Sequence, residues 1–167
     1  MYNNGRRIFG IIMKHIDSKL LDFISEKFKD KVDKVDCPYI QHLLRVASAA
    51  ANMCYFSEET SNKLYQIGLL HDIFEDTDTS AEELREYVDE EIIYTVRILT
   101  REPEVTYMDY INSIIESGNI LSIIVKLCDL KDNMDITRYD NFNDISFDLL
   151  KRYHKAYKQI AENSKIL

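Results

Sequence analysis

The sequence predicts an all-α fold, a single helical bundle, and three observations carry that prediction. Glycine and proline are scarce, 4 and 2 in 167 residues, where strands joined by tight turns would consume both. Apolar residues recur at intervals of three and four through most of the chain, the period of a helix with one buried face. Side chains suited to N-capping stand just before several of those runs. With 46% hydrophobic residues the chain can bury a core without disulfides or a structural metal, and one domain over residues 1–167 is expected.

The elements follow in order. From Ile16, the residues Leu20, Leu21, Ile24 and Phe28 share one helical face, with Asp22, Ser25, Glu26 and Lys27 between them. Pro38 suits the first position of a second helix carrying Leu43, Val46, Ala47, Ala50 and Met53 and reaching about Tyr55. Ser57 offers an N-cap for a third helix through Leu64, Ile67 and Leu70, ending near His71-Asp72. Loop chemistry is expected from Glu75 to Thr79. Ser80 with Glu83, or Thr79 with Glu82, then forms a capping box that starts a short helix to about Tyr87, and Asp89 can cap the next. Thr106 and Asp109 open a helix with Tyr110, Ile111, Ile114 and Ile115, closed by Gly118 in the left-handed conformation. Ile120 to Met134 is apolar almost all round, at Leu121, Ile123, Ile124, Val125 and Leu127, and so belongs in the middle of the bundle. Ser146 begins a last amphipathic helix, about 146–164, with Phe147, Leu150, Tyr153, Tyr157 and Ile160 on one face. No internal repeat, low-complexity tract or linker interrupts this order.

Charge narrows the function. The net charge is −8, from 29 acidic against 21 basic residues, and no run of Lys and Arg could neutralise a nucleic-acid backbone. A small phosphorylated substrate is still admissible, because a bound divalent cation supplies the missing positive charge. Cys37, Cys54 and Cys128 are odd in number and form no CxxC pair, so a disulfide framework or zinc ribbon is not expected, and a reducing cytoplasm is the simplest compartment. Arg6 and Arg7 precede an apolar stretch that Lys14, His15 and Asp17 break, which fits neither a signal peptide nor a membrane span.

Gly68-Leu69-Leu70-His71-Asp72-Ile73-Phe74-Glu75-Asp76-Thr77 is the most informative string. Three carboxylates and an imidazole follow directly on an apolar helix, and imidazole nitrogen with carboxylate oxygen is a ligand set for Mn²⁺, Fe²⁺ or Zn²⁺. A helix-terminal His beside a surface acid is the plain alternative. His42 lies upstream in Pro38-Tyr39-Ile40-Gln41-His42-Leu43-Leu44-Arg45-Val46-Ala47, and alone it reads as a satisfied core histidine. Asp129 lies in Val125-Lys126-Leu127-Cys128-Asp129-Leu130-Lys131-Asp132-Asn133-Met134, on the central helix, where a lone carboxylate needs a partner.

The ordered set His42, His71-Asp72 and Asp129 resembles the H…HD…D pattern of the HD-domain superfamily. More narrowly, it is similar to the (p)ppGpp hydrolase domains of RelA/SpoT-type enzymes and their small single-domain relatives, in which the strings read approximately PYxxHPLRVA, ALLHDVVEDT and VKLADRLHNM. The likeness covers about Pro38 to Met134. It implies one ion, Mn²⁺ or another divalent transition metal, held by His42, His71, Asp72 and Asp129. Glu75 and Asp76 match the family's ED pair, which orients or deprotonates the attacking water. Asn133 matches a substrate-contacting Asn, and its i,i+4 spacing from Asp129 puts both on one helical face. Lys126, Arg45 and Arg101 are candidates for phosphate contact, with a solvated surface charge as the alternative and the preferred reading for Arg101.

The implied activity is hydrolysis of a nucleotide pyrophosphate, specifically release of pyrophosphate from the 3′ position of (p)ppGpp. An HD-type nucleoside monophosphate phosphatase and a non-catalytic nucleotide- or partner-binding module are the alternatives. Two places depart from the family pattern. Asp33 stands nine positions before His42, where relatives carry a basic residue that stacks on guanine, with Lys34 one step later; Leu130, Lys131 and Asp132 replace Arg-Leu-His. Too few residues follow Met134 for a synthetase domain, so synthesis is not expected. His15 and His154 read as surface or helix-end residues.

Overall fold

The computed structural model describes residues 18–53 and 56–164. The expectations for Met1 to Gly10, Ile16, His15, Cys54 and Tyr55 fall outside those residues. The helices are α1 (Ser18–Lys27), α2 (Tyr39–Ala51), α3 (Glu58–Leu70), α4 (Ile73–Asp76), α5 (Ala81–Leu84), α6 (Glu90–Ile98), α7 (Tyr107–Glu116), α8 (Ile120–Asn133) and α9 (Phe147–Asn163). Two 3-10 turns, Ile136–Arg138 and Phe142–Asp144, link α8 to α9. Extended pairing among the described residues is confined to one isolated antiparallel bridge, Val32 with Pro38. No helix among them is long and apolar enough to cross a membrane.

The centre of the bundle is α8, which packs against α2, α3, α6, α7 and α9. Every residue from Ser122 to Leu130 is buried, as a helix with apolar residues on all sides requires. Most of the capping chemistry forms as the sequence implies. Ser57 accepts the Thr60 amide at 3.2 Å, Thr106 that of Asp109 at 3.2 Å and Ser80 that of Glu83 at 3.1 Å. Gly118 closes α7 at φ +63°.

Other boundaries differ, and each difference has a local cause. Pro38 is the N-cap of α2 and not its first helical residue, because ψ of 127° keeps it extended in the bridge to Val32. α2 ends at Ala51, where the Asn52 side chain donates from Nδ2 to Ser48 O at 2.7 Å. The stretch expected to open a loop at Glu75 first makes the single turn α4, while α5 stops at Leu84. Tyr87 lies beyond that end in a turn and stacks on Phe23 at 4.4 Å between centroids. Asp89 occupies the N-cap of α6 but makes no capping bond. Glu83 sends its carboxylate to Lys27 at 3.3 Å, so the box at Ser80 is one-sided.

The α2/α3 contact is close because Gly68 faces Ala47. A Cβ on Gly68 would stand 2.5 Å from Ala47 Cα and 2.9 Å from Ala47 N, so Gly68→Ala must push two backbones apart. We expect that substitution to cost about 1–3 kcal/mol as overpacking. A lowered urea midpoint with an unchanged m-value would register it, and a wild-type midpoint would show the helices to be free to separate.

Candidate metal centre and its cavity

Three helices bring the four predicted ligands together. His42 projects from the first turn of α2, His71 and Asp72 follow the last turn of α3, and Asp129 stands on the central α8 against both. His71 Nε2 lies 3.0 Å from Asp72 Oδ2 and 3.7 Å from Asp129 Oδ1. His42 Nε2 lies 3.7 Å and 3.5 Å from the same two oxygens. One nitrogen or oxygen each from His42, His71 and Asp72 falls within 4.8 Å of the others, the spread of ligands around a single ion.

The opposite edges of the two rings explain why these nitrogens turn inward. His71 Nδ1 is 2.7 Å from the Gly68 carbonyl, which can only accept, so Nδ1 carries the proton. His42 Nδ1 is 2.7 Å from Asp132 Oδ2, and that carboxylate is ionised: burial pushes its pKa up, but the bonds from His42 and Arg45 hold it at about 2. In the neutral rings both Nε2 atoms therefore present lone pairs. His71 Nε2 is buried and makes no hydrogen bond, although Asp72 Oδ2 is 3.0 Å away. A buried nitrogen that no protein group satisfies, between two carboxylates, is what a divalent cation completes. The residues present fit such an ion.

The two carboxylates are also held by neighbouring side chains. Tyr39 donates to Asp72 Oδ2 at 2.6 Å, and Lys126 donates to Asp129 Oδ2 at 2.8 Å. Asn133 donates to Asp129 Oδ1 and accepts from Lys34 on its own oxygen. Lys126 is 9% exposed and stays charged: burial opposes the charge, but Asp129 together with Tyr110 and Tyr107 outweighs it. Asp129 is held well below the usual carboxylate range by Lys126 and the two imidazoles, against the opposing effect of burial.

Above this cluster opens a cavity of about 460 Å³, with Glu75, Lys126 and Asn133 among its walls. Glu75 stands at the exposed mouth, its Oε1 accepting the Arg101 backbone N–H at 2.7 Å. Desolvation by the surrounding protein raises its carboxyl, in spite of that bond. Arg101 also lines the cavity, although the sequence favoured a plain surface charge. Two predicted residues turn elsewhere. Asp76 pairs with Lys31 at 2.9 Å, and Arg45 grips Asp132 through Nε at 2.6 Å and Nη2 at 3.0 Å. His154 is exposed on α9.

Sequence reasoning missed Tyr39 and Asp132 as supports of the cluster and Arg138, Arg152 and Tyr153 as cavity residues. A signal existed for Asp132 alone, which is three residues after Asp129 and so shares its helical face.

The family model described as HD domain matches residues 39–142. A solved structure described as a metazoan ortholog of SpoT that hydrolyzes ppGpp superposes with a TM-score of 0.70 at 20% identity, covering 99% of this chain and 89% of that one, which is a likeness of fold. No curated protein matches the chain. The family match takes in α2 through α8 and every residue of the imidazole–carboxylate cluster, and on that ground the chain belongs to the HD domain family of metal-dependent phosphohydrolases.

Proposed function

We propose that this protein hydrolyses a pyrophosphate group of a nucleotide, releasing pyrophosphate from the 3′ position of a (p)ppGpp-like substrate with Mn²⁺ or another divalent transition ion as cofactor. The observation that carries the reading is the pair of imidazoles that donate from Nδ1 to the protein and turn Nε2 toward one point between Asp72 and Asp129. His42, His71, Asp72 and Asp129 would hold the ion. When bound, the ion lowers the pKa of a water and neutralises charge on the attacked phosphoryl group.

The chain's own residues do the rest. Glu75, with its carboxyl raised by desolvation and one oxygen anchored on the Arg101 amide, accepts the proton from the attacking water. Lys126, fixed beside Asp129, meets the phosphoryl oxygens. Tyr39 keeps the Asp72 carboxylate in place. Asp76 acts through Lys31, not on the water, and Arg45 acts through Asp132.

The outer cavity favours a polyphosphorylated nucleotide over a monophosphate. Lys34, Arg101 and Arg152 line it, in a chain whose net charge is −8. Lys34 Nζ lies 4.3 Å from the Tyr153 ring centroid, a cation beside an aromatic face where a base can stack, while Asp33 is paired away with Arg138.

A panel of nucleotides incubated with Mn²⁺, with phosphate and pyrophosphate read separately, tests this. Pyrophosphate from guanosine 3′,5′-bis(diphosphate) is the expected product. Orthophosphate from nucleoside monophosphates alone would make the protein a nucleotidase, and failure to bind any divalent ion would make it a binding module.

The metal-free protein should also show a characteristic pH dependence. Burial works against a charged His71, but Asp72 and Asp129 outweigh it and raise the imidazole from 6.5 to about 10. Stability from that proton is full below the unfolded value and is lost as pH rises through the folded one. Melting temperature in chelator should therefore fall between about pH 7 and 10, and saturating Mn²⁺ should flatten the fall by replacing the proton. Identical pH profiles with and without the ion would contradict the assignment of His71 as a ligand.

A further inference from the structure

Two aspartates and two arginines form a closed ring of charge behind His42. Asp132 receives His42 Nδ1 at 2.7 Å, Arg45 Nε at 2.6 Å and Arg138 Nη1 at 3.0 Å. Asp33 closes the ring, pairing with Arg138 and, at 3.5 Å, with Arg45. The carboxylates are nearly enclosed, with 10% of the Asp132 side chain and 6% of the Asp33 side chain exposed. These four charges sum to zero, so the ring adds no net charge beside the cluster. What reaches the metal site is the oriented carboxylate of Asp132.

We propose that Asp132 is a positioning residue for the metal: gripped by Arg45 and Arg138, it sets the ring plane and tautomer of His42 and thereby the affinity of the site. The inference rests on the reading of His42 as a ligand. Three observations support it. His42 is buried, and its ring is bounded edge-on by Tyr39 at 5.3 Å and His71 at 5.2 Å, so rotation about its side-chain bonds is the main remaining freedom. The bond to Asp132 removes that freedom and forces the proton onto Nδ1. A carboxylate on the far nitrogen also makes a ligating imidazole more basic, so a cation at Nε2 is bound more tightly.

Arg138 gives the device its reach. It comes from the 3-10 turn after α8, lines the substrate cavity, and touches both aspartates of the ring. Asp33 in turn fixes the loop before α2, accepting the Val35 amide at 3.0 Å and the Cys37 amide at 3.1 Å, with Asp36 at φ +58° between them. The loop and the turn that shape the cavity thus share one clamp with the first metal ligand. A ring that served only to staple loop to turn would affect stability and leave metal binding alone.

Asp132→Asn tests the proposal, since it keeps the size and an accepting oxygen but loses the charge. Calorimetric titration with Mn²⁺ and Co²⁺ should show affinity lower by about 10- to 100-fold, with an altered visible spectrum of the Co²⁺ form and a cooperative melt. Wild-type affinity and spectrum in that variant would overturn the inference. Should the variant fail to fold, Arg138→Gln decides, because it loosens Asp132 without touching His42. A weakening of metal binding by several-fold is expected there, and lowered stability with unchanged affinity would reduce the ring to a staple. Absence of metal binding by the unaltered protein would instead refute the proposed function.

Discussion

Asp129→Ala is expected to abolish divalent-metal binding and, independently, to lower the stability of the metal-free protein by about 3–5 kcal/mol. The first effect follows from the loss of an oxygen that both imidazole nitrogens face, at 3.5 and 3.7 Å. The second follows from Lys126, whose largely buried ammonium loses its carboxylate partner at 2.8 Å. Metal analysis of the purified variant checks the first, and urea unfolding in chelator checks the second. His71→Ala should also remove metal binding. A variant at Asp129 that retained stoichiometric metal would place the ion elsewhere.

Glu75→Gln should keep the metal and reduce turnover by about 100-fold or more, the size of contribution a positioned proton acceptor makes. The glutamine retains an oxygen for the Arg101 amide, so the geometry at the cavity mouth should persist. The loss should therefore appear in kcat, with the metal affinity and the melting temperature unchanged. Full turnover in this variant would show that the proton goes to another group. A parallel loss of metal would mean that Glu75 holds the ion.

The four proposed ligands were legible in the sequence for different reasons. His71-Asp72 stood out because charged groups follow directly on an apolar helix, and Asp129 because it interrupts a segment that is apolar on every side. His42 gained meaning only beside the other two. The supporting residues were less visible. Asp76 sits next to Glu75 and reads as its equal, yet one turn of helix at Ile73–Asp76 aims the two carboxylates apart, one at the Arg101 amide and the other at Lys31. Arg45 reads as a phosphate ligand from its place after His42, but an ionised carboxylate 87 positions away holds it. Asp33 stands where relatives have a cation, and its partner Arg138 lies 105 positions away.

Helical period and capping are local: they depend on residues three or four apart, so the sequence alone determined where most helices lie, which one is central and which helix carries each donor. Partnership among charges depends on which side chains meet after helices pack, and no spacing along the chain encodes it. Only the tertiary structure decided that Asp132 holds His42, that Asp76 turns to Lys31, and that the nitrogen of His71 is left without a partner in the core. The physical reason is that packing alone decides which charged groups come within reach of one another, and where they are buried, as at Asp132, a charge without a partner is costly.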